Sequence, residues 1–272
     1  SNHLSTQRID QGRLAADFGR IEVTVATDAH TGVSLTKDDG AIISLGLPFA
    51  SQASRGIDAG SGTVLFDNGN GSSTVVVVVD DGSAAIHSVI EGPEAPVEYP
   101  YDLRVPAGAS LSLLDSGQVL VLDQSGASVF FIGAPWATDA TGRNLETHYE
   151  IRGERVIQVV EHKGAVYPVV ADPAVGGFYM QTYQWNSAHN RLTLWPTLAG
   201  GTFPYAVVTA YGWNEVVNAP GIGSLSETLR QQFGCHAYGN AALWAAGQTW
   251  DLETWRGTVS NPIAWWSSLC NW

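Results

Sequence analysis

The stretch Ser73-Thr74-Val75-Val76-Val77-Val78-Val79-Asp80-Asp81-Gly82-Ser83-Ala84-Ala85-Ile86-His87-Ser88-Val89-Ile90 decides the fold class. A run of β-branched valines is stiff at χ1 and favours a pleated strand over a helix. Asp81-Gly82 supplies the left-handed conformation that a tight turn demands, and a second apolar run follows, so the segment predicts a β-hairpin. The same grammar recurs outward from it. Ile21 to Ala26 is one strand, and Val33 to Thr36 precedes the turn Asp38-Asp39-Gly40. Gln118 to Leu122 and Ser128 to Ile132 flank Gln124-Ser125-Gly126, and Val156 to Glu161 and Ala165 to Val170 flank Lys163-Gly164. Short strands at this spacing predict an antiparallel sandwich or curled sheet. Only Arg13 to Phe18 hints at a helix.

Beyond Val169-Val170-Ala171-Asp172-Pro173-Ala174-Val175-Gly176-Gly177 the composition changes. Residues 1–173 hold 22 acidic and 10 basic side chains, a net of −12, whereas 174–272 hold 4 and 3, a net of −1. Tryptophan does the reverse, with nine of the ten after the junction. Two domains are therefore expected, an acidic all-β domain over 1–173 and a smaller, Trp-rich α+β domain over 174–272. In the latter, Phe178 to Trp185 and Arg191 to Trp195 read as a hairpin with Tyr179, Gln181, Tyr183 and Trp185 on one face. Ala206 to Asn218 reads as a helix. Ser224-Leu225-Ser226-Glu227 reads as a capping box opening another, with the stripe Leu225, Leu229, Phe233 and a stop at Gly234.

Composition also bounds function. A net charge of −13 on 272 residues opposes nucleic-acid binding. Apolar blocks such as Val75 to Val79 are far below the roughly 20 residues that span a bilayer, so no transmembrane segment is expected. Cys235 and Cys270 are the only cysteines, and one disulfide is the preferred reading over two buried thiols. A disulfide points to secretion. The opening Ser1-Asn2-His3, with no signal peptide, is read as a mature boundary or a cleaved tag.

The motifs of several enzyme classes are missing: there is no G-x-S-x-G, phosphate loop, H-E-x-x-H or C-x-x-C. Asp67-Asn68-Gly69-Asn70-Gly71 has oxygen ligands for calcium, but a tight turn explains it better, and no metal or cofactor is expected. The densest chemistry is Glu215, Cys235-His236 and Trp250-Asp251-Leu252-Glu253-Thr254-Trp255-Arg256. Carboxylates beside aromatic walls lose hydration, which raises their pKa and suits Glu215 and Glu253 to acid catalysis. If 250–256 is extended, Asp251 and Glu253 share a face and could divide the two roles of a glycoside hydrolase. His236 could shuttle protons, and Arg256 could pair with either carboxylate. The bland alternative is an internal ion pair that ties this segment to Glu215. The flat indoles of Trp213, Trp250, Trp255, Trp265 and Trp266 are candidate platforms for sugar rings.

On Gly212-Trp213-Asn214-Glu215-Val216, Gln232-Phe233-Gly234-Cys235-His236-Ala237, Thr249 to Arg256 and Cys270-Asn271, the C-terminal domain resembles an uncharacterised family of exported proteins from high-GC Gram-positive bacteria. Gly257 departs from that pattern, which has proline there. The β-domain resembles a leader found ahead of various exported modules, through Ile132 to Asp139 and Tyr167 to Pro173. The resemblance implies export and two domains, and it implies no reaction. The leading expectation is an exported cell-envelope protein, secreted or at the cell surface, whose C-terminal domain binds a glycan or other envelope component. The alternatives are a secreted polysaccharide or peptidoglycan hydrolase, and a membrane-acting toxin restrained by the N-terminal domain.

Overall fold

The valine hairpin forms as its alternation dictates. Ser72–Val78 pairs with Ala84–Ile90, and along both strands every second residue is buried. The computed structural model describes residues 10–243, 249–259 and 270, and the fold class follows from it. The chain is mainly antiparallel β sheet with few helices, and one disulfide lies in the C-terminal region. It divides into two compact units, Ser1–Gly177 and Phe178–Trp272.

In the first unit a seven-stranded sheet runs through Arg13–Asp17, Ile21–Ala26, Val33–Lys37, Ile42–Gly46, Glu98–Arg104, Arg155–Val160 and Thr147–Arg152. A ten-stranded sheet carries the valine hairpin. Its path runs Ser110–Leu113, Val119–Leu122, Ser128–Ile132, Ala174–Gly176, Ala84–Ile90, Ser72–Val78, Thr63–Asp67 and Ile57–Gly60. Val169–Asp172 pairs with Ala84–Ile90 and with Trp136–Thr138. The sheets meet through polar as well as apolar groups. The buried Tyr101 hydroxyl lies 3.1 Å from Ser88 Oγ, and the buried Tyr149 hydroxyl donates to the Asp172 carbonyl at 3.4 Å.

Three expectations are corrected here. Arg13–Asp17 is an edge strand paired with Ile21–Ala26, its Leu14 buried against the core. A segment this short cannot nucleate a helix by itself, so the neighbouring strand decides its conformation. Lys163-Gly164 is a turn but not the tip of a hairpin, because Arg155–Val160 pairs with Thr147–Arg152 and Glu98–Arg104 while Val169–Asp172 joins the other sheet. The unit also extends past residue 173. Ala174–Gly176 pairs with Ala84-Ala85 and Phe131-Ile132, so composition changes before the fold does.

The second unit is a three-stranded antiparallel sheet, Met180–Trp185, Arg191–Pro196 and Trp250–Glu253, with helices on one face. A register shift between Met180 and Thr182 breaks the expected single aromatic face, and Tyr179 and Met180 are both buried. The helical stretch at 205–217 contains a π-helical turn over Val208–Gly212. The long helix is Glu227–Leu243, and it differs from expectation at both ends. The Ser226 carbonyl accepts from the Leu229 and Arg230 amides, which places the cap two residues beyond Ser224. Glu227 pairs forward with Arg230 at 2.6 Å. The helix runs through Gly234, where an added Cβ would meet the Tyr205 hydroxyl at 3.5 Å, so this glycine marks a close approach between helices.

Candidate functional site

The register of the three-stranded sheet sorts its side chains onto two faces. Leu192 lies opposite Leu252, and Leu194 opposite Trp250 and Tyr183, on the face the helices cover. Arg191 lies opposite Glu253, and Thr193 opposite Asp251 and Gln184, on the other face.

The covered face is an aromatic core. Phe233 from the long helix meets Trp250 edge-on at 5.3 Å and Trp213 at 5.3 Å. One turn further along, the His236 imidazole stacks on the Trp250 indole with centroids 5.7 Å apart and planes 8° apart. Burial pushes the His236 pKa down to about 4, against a weaker opposing effect of the Asp251 backbone acceptor and the Asp251 charge. Its Nε2 has no hydrogen-bond partner among the described residues. Cys235, beside it, is bonded to Cys270 with Cα atoms 5.4 Å apart.

The other face, opposite the described helices, holds a cleft of about 410 Å³, lined by Gln184, Trp185, Asn186, Arg191, Thr193, Trp195 and Asp251 together with Ser187 and Thr249. That volume falls within the roughly 300–1,000 Å³ range of small-molecule sites. Among the described residues Asp251 is its one carboxylate. It accepts from the Thr193 hydroxyl at 2.6 Å and lies 3.9 Å from the Arg191 guanidinium, with both charged groups partly open to solvent. Asn186 builds the rim. Its Oδ1 accepts from the Asn190 and Arg191 amides and its Nδ2 donates to Asn190 Oδ1, which fixes the hairpin loop. The Trp185 indole N–H donates to the Ile222 carbonyl at 3.1 Å, and its ring stacks against His189 at 6.0 Å.

The residues expected to act together are dispersed. Asp251 lies in the cleft, but His236 is behind the sheet on the covered face. Glu215 is on the short helix Trp213–Val217, where its Oε2 accepts from the Tyr179 amide at 2.7 Å and ties that helix to the start of the hairpin. Asp251 and Glu253 do share a face, as an extended strand requires, yet the Glu253 carboxylate forms a mostly buried ion pair with Arg256. Its backbone is held from behind as well. The Gln232 side chain accepts from the Glu253 amide at 2.8 Å and donates to its carbonyl at 3.0 Å. The arrangement therefore gives a carboxylate–guanidinium lock beside the cleft rather than a second free acid within it.

Among the tryptophans, Trp250 is 4% exposed and belongs to the core, which removes it as a platform. Trp213 packs on Phe233, and Trp255 is exposed just past the strand. Trp265 and Trp266 lie outside the described residues. Two tryptophans line the cleft, Trp185 and Trp195, and from sequence each is only the end of a hairpin strand. Strict alternation of Arg191, Thr193 and Trp195 was the signal that could have found Trp195, since those three share a face.

Elsewhere, Asp67 to Gly71 is a turn in which Asp67 Oδ1 accepts from the Gly69 amide at 2.8 Å and the buried Asn68 amide donates to Ser72 and Thr74. Among the described residues no group of three or more His, Cys, Asp or Glu is placed to hold a metal. No helix among the described residues is long and apolar enough to cross a membrane.

The second unit is thus a disulfide-bonded α+β module with a polar, tryptophan-lined cleft on the sheet face opposite its described helices. Residues 180–272 match the model of a family described as "Protein of unknown function (DUF2599)". No curated protein matches the chain.

Proposed function

We propose that the second unit is a glycan-binding module of an exported cell-envelope protein, with the acidic β unit as its leader or spacer. The observation that carries this reading is the cleft. An indole, Trp195, lies beside the set Arg191, Thr193, Asp251 and Gln184 on the sheet face opposite the described helices. A sugar ring presents an apolar C–H face and a rim of hydroxyls, and an indole next to fixed donors and acceptors complements both. The disulfide supports export, because such bonds persist in oxidising compartments. Binding is favoured over hydrolysis because the cleft holds a single carboxylate among the described residues, while Glu253 is committed to Arg256 and His236 lies on the opposite side of the sheet.

The test is retention of the full chain on insoluble peptidoglycan and on neutral envelope polysaccharide. Trp195→Ala and Asp251→Ala are expected to weaken retention by roughly 30-fold or more, the size of a binding hot spot. Trp255→Ala is expected to leave it unchanged, since Trp255 is exposed outside the cleft. Failure of the wild-type chain to bind any such polymer overturns the reading.

A further inference from the structure

The sequence contains a single Asp-Pro pair, Asp172-Pro173. It lies within the first unit, a few residues before the chain enters the second. The strand register carries through it: Ala171 is opposite Ser88, Ala174 is opposite Ala85, and the Pro173 carbonyl accepts from the Ile86 amide at 2.9 Å. On the other side, Val170–Asp172 pairs with Trp136–Thr138 while Val175-Gly176 pairs with Phe131-Ile132, so Pro173 falls between two partners. A proline inside a sheet forfeits a ladder hydrogen bond and is normally confined to edges or bulges.

Chemistry gathers on this one bond. The Asp172 carboxyl is nearly buried, and His87 Nδ1 lies 3.8 Å from its Oδ2. That Nδ1 is itself buried and has no hydrogen-bond partner among the described residues. Trp136 hydrogen-bonds to the same carboxyl, and its ring lies 6.0 Å from that of His87. On the backbone side, the Tyr149 hydroxyl donates to the Asp172 carbonyl oxygen at 3.4 Å.

We propose that Asp172-Pro173 is a self-cleavage site at which the first unit severs its own connection to the second. The Asp172 side-chain oxygen attacks the Asp172 main-chain carbonyl carbon, forming a five-membered cyclic anhydride. The bond from that carbon to the Pro173 nitrogen breaks. The nitrogen leaves as a secondary amine, taking the proton that the Asp172 carboxyl gives up through His87. Water then opens the anhydride, adding hydroxyl to one acyl carbon and hydrogen to the other oxygen. The net change is one peptide bond plus one water to one carboxylic acid and one amine, with no oxidation or reduction.

Each neighbour has a role in this sequence. Attack within one residue converts a bimolecular step into an intramolecular one. Tyr149 donates to the oxygen on which negative charge develops. His87 is placed to move the proton. Burial pushes the Asp172 pKa up to about 7 and lowers that of His87, so below neutrality the carboxyl keeps its proton far longer than an ordinary aspartate, beside an imidazole biased toward its neutral form. The other titratable groups packed here are the phenols of Tyr101 and Tyr149, both raised by burial and by the Asp172 charge. After the cut, Ala174–Gly176 still pairs with strands on both sides, so the two pieces stay associated until that strand withdraws.

The test is to incubate the folded full chain between pH 5.5 and 7 at 37 °C for several days and measure intact masses under denaturing, reducing conditions. Two fragments meeting at 172/173 are expected, their masses summing to the intact chain plus one water. Asp172→Ala and Pro173→Ala are expected to stop cleavage. Tyr149→Phe removes one oxygen from a packed ring, so it tests the proposal even if Asp172→Ala fails to fold. It is expected to retain the melting temperature and slow cleavage by about 10-fold or more. A chain that stays intact overturns the proposal. So does equal cleavage in Asp172→Ala, or an equal rate in urea, which would show that the folded groups contribute nothing.

Discussion

The imidazole of His236 lies flat against the indole of Trp250, and the residue after that tryptophan, Asp251, faces the opposite side of the same sheet. The helix-covered face thus holds an uncharged ring pair while the opposite face carries charge. A histidine whose folded-state pKa is depressed to about 4, against an ordinary 6.5, is held neutral by the fold. The unfolded chain binds the extra proton first, so stability falls as pH drops from about 6.5 toward about 4. The difference is on the order of 2–3 kcal/mol. Urea midpoints followed by tryptophan fluorescence should show this loss in the wild type and a flatter profile in His236→Phe.

The Asp172 carboxyl has the opposite slope. Its folded pKa, raised to about 7, lies above its unfolded value, so the folded state holds its proton longer and stability falls as pH rises from about 4 to about 7. Asp172→Asn keeps the shape and removes the titration. The variant should equal the wild type in melting temperature near pH 4.5 and exceed it above pH 7.5.

Gln232 is fully buried and satisfies both the N–H and the C=O of Glu253. Gln232→Leu preserves bulk but strands two backbone groups away from water, at about 1–3 kcal/mol each. Equilibrium unfolding should record a loss of about 2–4 kcal/mol, with the disulfide intact.

The Cys235–Cys270 bond spans 35 residues in sequence. In the chain-entropy model such a loop contributes about 3–4 kcal/mol. Comparing denaturant unfolding with and without reductant should show that difference in the tryptophan signal. Nine of the ten tryptophans follow residue 173, so this signal reports mainly on the second unit.

Gly200 lies in the short helix Leu198–Thr202, capped by the Thr197 hydroxyl, and a Cβ there would sit 1.9 Å from the Tyr179 carbonyl oxygen. Backbone must move to admit a methyl group. Gly200→Ala is expected to destabilise by about 2–4 kcal/mol, well beyond an ordinary surface change, with a matching fall in thermal midpoint.

Most of the β architecture was legible because alternation and turn residues are local signals. Val75 to Ile90 announces its own hairpin, and Gln118 to Ile132 does the same. Arg13–Asp17 was misread because its conformation comes from a neighbour, Ile21–Ala26, rather than from its own spacing. The pairing of Val169–Asp172 was hidden for a related reason: its partners lie some 80 and 30 residues upstream, and no turn connects them. In the second unit the Asp251 strand was legible, and so was the single-face placement of Asp251 and Glu253. What spacing could not separate was the cleft from the lock. That depends on which side of the sheet the helices cover, and on Arg256 reaching Glu253 across a turn. Trp195 escaped notice because nine tryptophans offered themselves and only the packed fold distinguishes core rings from cleft rings.

The Gln232 amide has one more consequence, for association between molecules. A sheet with three strands among the described residues has a last strand that could recruit an extended segment from another chain, the usual first step toward fibrils or swapped dimers. At Glu253 the long helix presents a side-chain amide where the next strand's peptide group would be, with donor and acceptor in place. The helix thereby imitates a fourth strand at that position. Gln232 is then a guard against misassembly as well as a structural tie, and losing it should expose a sticky flank even in molecules that remain folded.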